Sequence, residues 1–240
     1  MNIDKVILSS NDNPEYLDFW PIVSEAWINI GVTPILFYTG EKKFEGNNIY
    51  NFNIENINTA FLAQNIRLLA PAIFPNDVCI ISDIDNMPLS KEYFQENISN
   101  FSGDEFIIYR PDATTEDMIS IMWNAAKGSV WSDIFDVKDI DNIYNKIKSW
   151  YPANYSIRGN NWYFDQKTLK KYIEEYEKKD YSKIVRLNDE SAGFCRLNRS
   201  NYSIFFNKFY DHEKNYSDFH MPRPYKKYKR IIDKVFNLNF

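Results

Sequence analysis

Residues 77–82, Asp-Val-Cys-Ile-Ile-Ser, form a short apolar run that stops abruptly on Asp83-Ile84-Asp85-Asn86-Met87-Pro88. An apolar run of this length bounded by turn formers reads as a strand covered on both faces, as in parallel sheets flanked by helices. The residues ahead of it repeat the theme. Val6-Ile7-Leu8-Ser9 reads as a first strand and Asn11-Asp12-Asn13-Pro14 as a polar turn. Leu17, Trp20, Ile22, Val23, Ala26, Trp27 and Ile30 follow at helical spacing, ended by Gly31. Pro34-Ile35-Leu36-Phe37-Tyr38 reads as a second strand, residues 59–74 as a second helix and residues 77–82 as the third strand. A β-α-β-α-β series of this kind predicts an α/β fold with a mainly parallel central sheet between helix layers. Further on, residues 105–109 and 184–187 read as strands, and residues 115–127, 139–150 and 166–178 as helices. No Gly/Ser/Pro-rich linker or repeat divides the chain, so residues 1–240 are expected to form a single domain.

With 240 residues and 44% hydrophobic content the chain can bury a large core, which excludes a disordered protein. A net charge of −5 gives no general case for a nucleic-acid partner, because a polyanion calls for a basic face. Any phosphate must therefore be met by local cations. Cys79 and Cys195, the two cysteines, are expected to be reduced thiols. The start of the chain has no signal-like segment and no run is long enough to span a bilayer, so a cytoplasmic location is expected. Residues 226–240 carry five cations and one acid, with Ile231, Ile232, Val235, Phe236 and Leu238 at near-helical spacing. Such a helix could make peripheral contact with a membrane, but docking on the domain is the expected arrangement.

Asp83 and Asp85 are two residues apart, so an extended backbone turns both the same way just past the strand end. Two adjacent carboxylates repel and raise each other's pKa unless a cation lies between them. Hard oxygen ligands suit Mg²⁺ or Mn²⁺, which also grips a diphosphate. The competing account is a plain polar turn, since Asp, Asn and Pro are common turn residues. Ligands of open α/β sheets collect at the carboxyl ends of strands, where Ser9, Ser10 and Asn11 also fall.

At Asp83-Ile84-Asp85 the chain resembles the GT-A glycosyltransferases, which transfer a sugar from a nucleotide diphosphate donor and carry an Asp-x-Asp at the end of a central strand. Three further segments extend the resemblance. Asn58-Thr59-Ala60-Phe61-Leu62-Ala63-Gln64-Asn65-Ile66-Arg67-Leu68 is similar to the helix that precedes the motif. Trp162-Tyr163-Phe164-Asp165-Gln166 resembles a late element that opens an acceptor-side helix. His220-Met221-Pro222-Arg223-Pro224 resembles the C-terminal segment whose His completes a metal site. The relatives so indicated are catalytic domains of algal-virus glycosyltransferases and, more distantly, family 8-like bacterial galactosyltransferases.

The resemblance implies a three-layer GT-A sandwich, a donor that is commonly a UDP-sugar, a glycan or other hydroxyl acceptor, and Mn²⁺ or Mg²⁺ held by Asp83, Asp85 and His220. Asp83 would also meet the donor's ribose, Arg223 and Lys226 would neutralise the diphosphate, and Ser9, Ser10 and Asn11 would receive the nucleobase. Retention of anomeric configuration is the outcome these relatives favour. His212, the other histidine, competes with His220 for the metal. Gln64 and Arg67 share a helix face; Arg67 could bridge Asp83 or a phosphate, or be an exposed helix cation. Asp165 is either a helix N-cap or, with Gln166 and the loop Gly159-Asn160-Asn161-Trp162, a contact to acceptor or sugar. Two other functions compete: a non-catalytic nucleotide-sugar binder and an Asp-x-Asp phosphohydrolase. The latter expects Thr or Val where Met87 stands.

Overall fold

In the computed structural model, which describes residues 1–159, 161–201 and 210–240, two sheets carry the architecture. The larger has seven strands: β1 (Lys5–Ser10), β2 (Thr33–Tyr38), β3 (Ile49–Asn51), β4 (Val78–Ile81), β6 (Phe106–Tyr109), β7 (Asn124–Lys127) and β8 (Ile184–Leu187), in spatial order β3-β2-β1-β4-β7-β6-β8. β1 is parallel to both β2 and β4, β2 to β3, and β6 to β8, while β7 runs antiparallel to β4 and β6. The sheet is therefore mainly parallel, as the sequence pattern requires. The short edge strand β3 is additional, so the strand before Asp83 is fourth in chain order.

Side chains alternate strictly across this sheet. Val6, Leu8, Val78 and Ile80 enter one core and Ile7, Cys79 and Ile81 the other. The first core is closed by α2 (Trp20–Asn29), through Val23, Ala26 and Trp27, and by the last helix, α8 (Tyr225–Asn239), through Ile232 and Val235. The second is closed by α3 (Thr59–Leu69), α4 (Gly128–Phe135), α5 (Ile140–Trp150) and α6 (Phe164–Glu177). Sheet between two helix layers gives the three-layer sandwich. Two short helices, α1 (Pro14–Leu17) and α7 (Asp189–Ala192), follow β1 and β8 along the chain. Ile232 and Val235 are fully buried, so the terminal helix docks on the domain; burying each such side chain is worth about 2 kcal/mol.

Three details differ from the sequence reading. The first helix is two, because Pro21 starts a fresh one at α2. The second ends at Leu69 and tightens into a 3₁₀ turn over Ala70–Ile73 around Pro71. The helix expected over residues 115–127 is absent: the segment is irregular and ends in β7. Its true period is two, with Ala125 in one core and Ala126 in the other, and Trp123 hands its indole N–H to Ser82 Oγ at 2.8 Å. The cysteines are free thiols, as expected.

The second sheet has three strands, β5 (Asn86–Pro88), β9 (Cys195–Asn198) and β10 (Tyr216–His220), in the order β5-β10-β9. β10 pairs antiparallel with β5, setting His220 opposite Asn86, and parallel with β9, setting His220 beside Asn198. The backbone N–H of Met221 donates to Asp85 O at 2.9 Å and extends the pairing by one residue. This small sheet brings the C-terminal segment against the strand-end acids. Arg110 and Arg196 lock it from behind on the buried carboxylate of Asp218, each at 3.0 Å.

Candidate active site

A cavity of about 430 Å³ opens at the carboxyl ends of β1 and β4. It is lined by all the sequence-derived site residues except Lys226: Ser9, Ser10, Asn11, Gln64, Arg67, Asp83, Asp85, Asp165, Gln166, His220 and Arg223. Lys226 lies outside it, 79% exposed and 3.2 Å from Asp18. His212 is exposed against the ring of Tyr210, so His220 is the histidine the fold delivers to the acids.

α3 starts on Asn58, whose Oδ1 accepts the Ala60 N–H at 2.9 Å, and its last turn points Arg67 beneath the sheet end. Arg67 is buried. Its Nη1 donates to Asp83 Oδ1 and its Nη2 to Asp165 Oδ2, the latter at 3.1 Å, and the Gln64 and Ser82 carbonyls accept from the same guanidinium. The reading of Arg67 as an exposed helix cation is thereby corrected. Burial works against its charge, but Asp83 and Asp165 outweigh that cost and raise its pKa.

Asp165 is not the N-cap of α6; Tyr163 holds that position. Asp165 lies within the first turn, 2% exposed, with Oδ1 accepting the Gln166 N–H at 2.9 Å. Burial pushes its carboxyl up to about 6; Asp83 adds to the rise and Arg67 opposes it. Gln64 braces the loop ahead of α6, giving Nε2 to Trp162 O at 3.1 Å and accepting the Tyr155 hydroxyl at 3.2 Å. Asn160, part of the same loop in the sequence reading, lies outside the described residues.

Ser9 donates to the Ala63 carbonyl and Asn11 Nδ2 to Thr59 Oγ1 at 3.1 Å, so the end of β1 is pinned to α3. Ser10 Oγ donates to Asn11 O at 3.1 Å. These residues form the cavity wall and tie two elements together.

Asp85 carries the densest electrostatics. Its Oδ2 accepts from Arg199 Nη1 at 2.8 Å and lies 3.5 Å from Arg223 Nε and 3.7 Å from His220 Nε2. Burial opposes ionisation here, yet His220, Arg199 and Arg223 together overcome it and hold the carboxyl well below the usual range. The His220 Nδ1 is buried without a hydrogen-bond partner among the described residues. A carboxylate beside an imidazole is a donor pair that suits Mn²⁺, and the residues fit such an ion. Asp83, by contrast, is turned to Arg67, and no three His, Cys, Asp or Glu side chains among the described residues form a ready-made metal cluster.

Sequence reasoning missed Arg199, Tyr16 and Arg158, all in the cavity lining. Tyr16 reaches it from α1 and sits under Arg223, whose guanidinium carbon is 4.7 Å from the ring centroid and whose Nη1 donates to the Tyr16 hydroxyl. The Asn13-Pro14 start of a helix was visible in the sequence; the role of Arg199 depends on β9, which carries no clear alternating pattern.

Neither a protein-family model nor a curated protein sequence matches the chain. Solved structures do. The galactosyltransferase LgtC, crystallised with donor and acceptor sugar analogues, matches at a TM-score of 0.51 and 11% identity, over 98% of this chain and 96% of that one. The glycosyltransferase GlyE of Streptococcus pneumoniae matches at 0.50 and 9% identity, over 99% of this chain and 63% of that one. A glycosyltransferase involved in the glycosylation of the major capsid of PBCV-1 matches at 0.49 and 13% identity, over 96% of this chain and 99% of that one. With its mainly parallel sheet between two helix layers and its likeness to LgtC along nearly the whole chain, the protein has the GT-A-like fold of glycosyltransferases.

Proposed function

We propose that the protein is a metal-dependent glycosyltransferase that moves a sugar from a nucleotide diphosphate donor, a UDP-sugar, to a glycan or other hydroxyl acceptor. The observation that carries this reading is the meeting of Asp83, Asp85, His220, Arg67 and Asp165 in one cavity at the carboxyl ends of the strands. The charge balance supports it. Four guanidinium groups in the lining, those of Arg67, Arg158, Arg199 and Arg223, face the three carboxylates of Asp83, Asp85 and Asp165. These four cations and three anions leave one net positive charge, less than the charge of a diphosphate. Asp85 and His220, with Asp83, would hold the Mn²⁺ or Mg²⁺. Such an ion supplies Lewis-acid stabilisation of the charge that grows on the departing nucleoside diphosphate.

The chain's own residues have distinct tasks. Arg223, braced on Tyr16, presents its guanidinium to the diphosphate. Ser9, Ser10 and Asn11 form the wall against which the nucleoside rests. Arg67 holds Asp165 at the sugar's reacting face, and Gln166 offers an amide to the sugar or the acceptor. Each lining carboxylate is already paired with an arginine, which leaves none free as the base that inversion needs and favours retention. A phosphohydrolase is the weaker reading, because its motif expects Thr or Val where Met87 stands.

The test is a screen of nucleotide sugars for Mn²⁺-dependent release of nucleoside diphosphate, with the product anomer read by NMR. Release with a retained anomer is expected. Binding without turnover on any acceptor would leave only a nucleotide-sugar binder.

A further inference from the structure

The cavity arginines differ in what anchors them. Arg67 is fixed by two carboxylates and two carbonyls, and Arg223 by the ring and hydroxyl of Tyr16. Arg158 is 71% exposed, 3.9 Å from Glu15. Arg199 reaches in from a side chain 30% exposed, and among the described residues Asp85 is its one charged partner. The same Nη1 also lies 3.5 Å from Met221 O, a long contact.

Its position follows from the small sheet. β9 ends at Asn198, in register with His220, which itself stands opposite Asn86. Asp85, His220 and Arg199 therefore project from neighbouring strand ends, and Oδ2 of Asp85 meets both of the others. A divalent cation approaching that oxygen meets a guanidinium already at 2.8 Å. The two cations repel, most strongly where the carboxylate is buried, so they cannot share one oxygen cheaply.

We propose that Arg199 is a counter-cation that competes with the divalent metal for Asp85 and turns to the donor diphosphate when the metal takes the carboxylate. This rests on the function proposed above and adds a coupling to it. Metal alone must displace Arg199 into a cavity whose other two carboxylates, Asp83 and Asp165, are already paired with Arg67; metal with diphosphate gives the displaced guanidinium a partner. Each ligand therefore strengthens the other, by linkage.

Mn²⁺ titrations of the full chain by calorimetry, with and without uridine diphosphate, test this on the parent, Arg199→Met and Arg199→Lys. In the parent, the nucleotide should tighten Mn²⁺ binding by about tenfold or more. In Arg199→Met, Mn²⁺ should bind the nucleotide-free protein about tenfold more tightly than the parent does, and the enhancement by nucleotide should shrink to what the ion's own contact with the diphosphate supplies. Arg199→Lys, which keeps the charge, should retain most of the coupling and serves as the comparison if circular dichroism shows that the Met variant is unfolded. Unchanged or weaker Mn²⁺ binding in a folded Arg199→Met overturns the competition. A parent that binds both ligands without mutual enhancement overturns this inference alone, whereas one that binds neither also removes the glycosyltransferase reading.

Discussion

Arg67 joins Asp83 to Asp165 through two different guanidinium nitrogens, Nη1 to the first and Nη2 to the second. The link ties the acid motif at the end of β4 to the first turn of α6 and passes through a side chain almost sealed from solvent. Such a bridge is weak evidence for net stability, but breaking it from one side is costly.

Arg67→Ala should therefore destabilise the fold by roughly 3–5 kcal/mol, because it strands the buried Asp165 carboxylate. Arg67→Lys should recover only part of this, since an ammonium cannot span two carboxylates as a planar fork does. Urea unfolding at neutral pH reads both, and a loss below about 1 kcal/mol for the Ala variant would contradict the bridge.

The pH response of Asp165 has a definite sign. Its carboxyl is pushed up to about 6 from the ordinary 3.8, so the folded chain holds that proton more tightly than the unfolded one. Its contribution to stability is therefore fully present below about pH 4 and declines as pH rises towards about 6. Urea midpoints across this window should fall less steeply in Asp165→Asn than in the parent. The same substitution should cut turnover about a hundredfold with donor affinity kept. Turnover within a few-fold of the parent would remove Asp165 from the reaction.

The two histidines separate cleanly. His220→Ala should weaken Mn²⁺ binding by about tenfold or more, while His212→Ala should leave it unchanged. Calorimetry or manganese EPR decides, and a metal loss confined to His212→Ala would misassign the site.

Gly128, at the start of α4, lies against the turn that leads into β4. A β-carbon there would stand 2.1 Å from Phe74 O and 2.6 Å from Pro71 O. Both obstacles are backbone, so Gly128→Ala should cost about 2 kcal/mol or more and lower the thermal midpoint by several degrees. An unchanged midpoint would show that the turn can give way.

What the sequence revealed follows from how periodic each segment is. β1, β2 and β4 are apolar runs because both faces are covered, and α3 and α6 carry a clear buried stripe. β7 was misread because Asn124-Ala125-Ala126-Lys127 is made of small and polar residues whose helical or extended state only its neighbours decide. The site shows the same division. Asp83, Asp85, His220 and Arg223 were legible as motifs, Arg67 as a polar residue inside a helical pattern, and Asp165 as the residue just ahead of one. Their pairing was not, since it depends on how α6 packs near α3. Arg199 escaped because its significance depends on a register between two short strands, which no local pattern encodes. Lys226, adjacent to the motif, looked equivalent to Arg223, but the helix start at Tyr225 turns it outward.

The order of assembly along the chain follows from the small sheet. The large sheet has all its strands by Leu187, whereas β5 waits for a partner that ends only at His220. While the chain is being made, Asp85 can thus sit at the end of a complete central sheet with none of its cationic partners yet present. The pocket can close only after the large sheet is complete, because its contacts span long loops, which form slowly. Nucleotide binding would then report that the chain has been made through Arg223, and a nascent chain halted before β10 would have the strands of the large sheet but no working cleft.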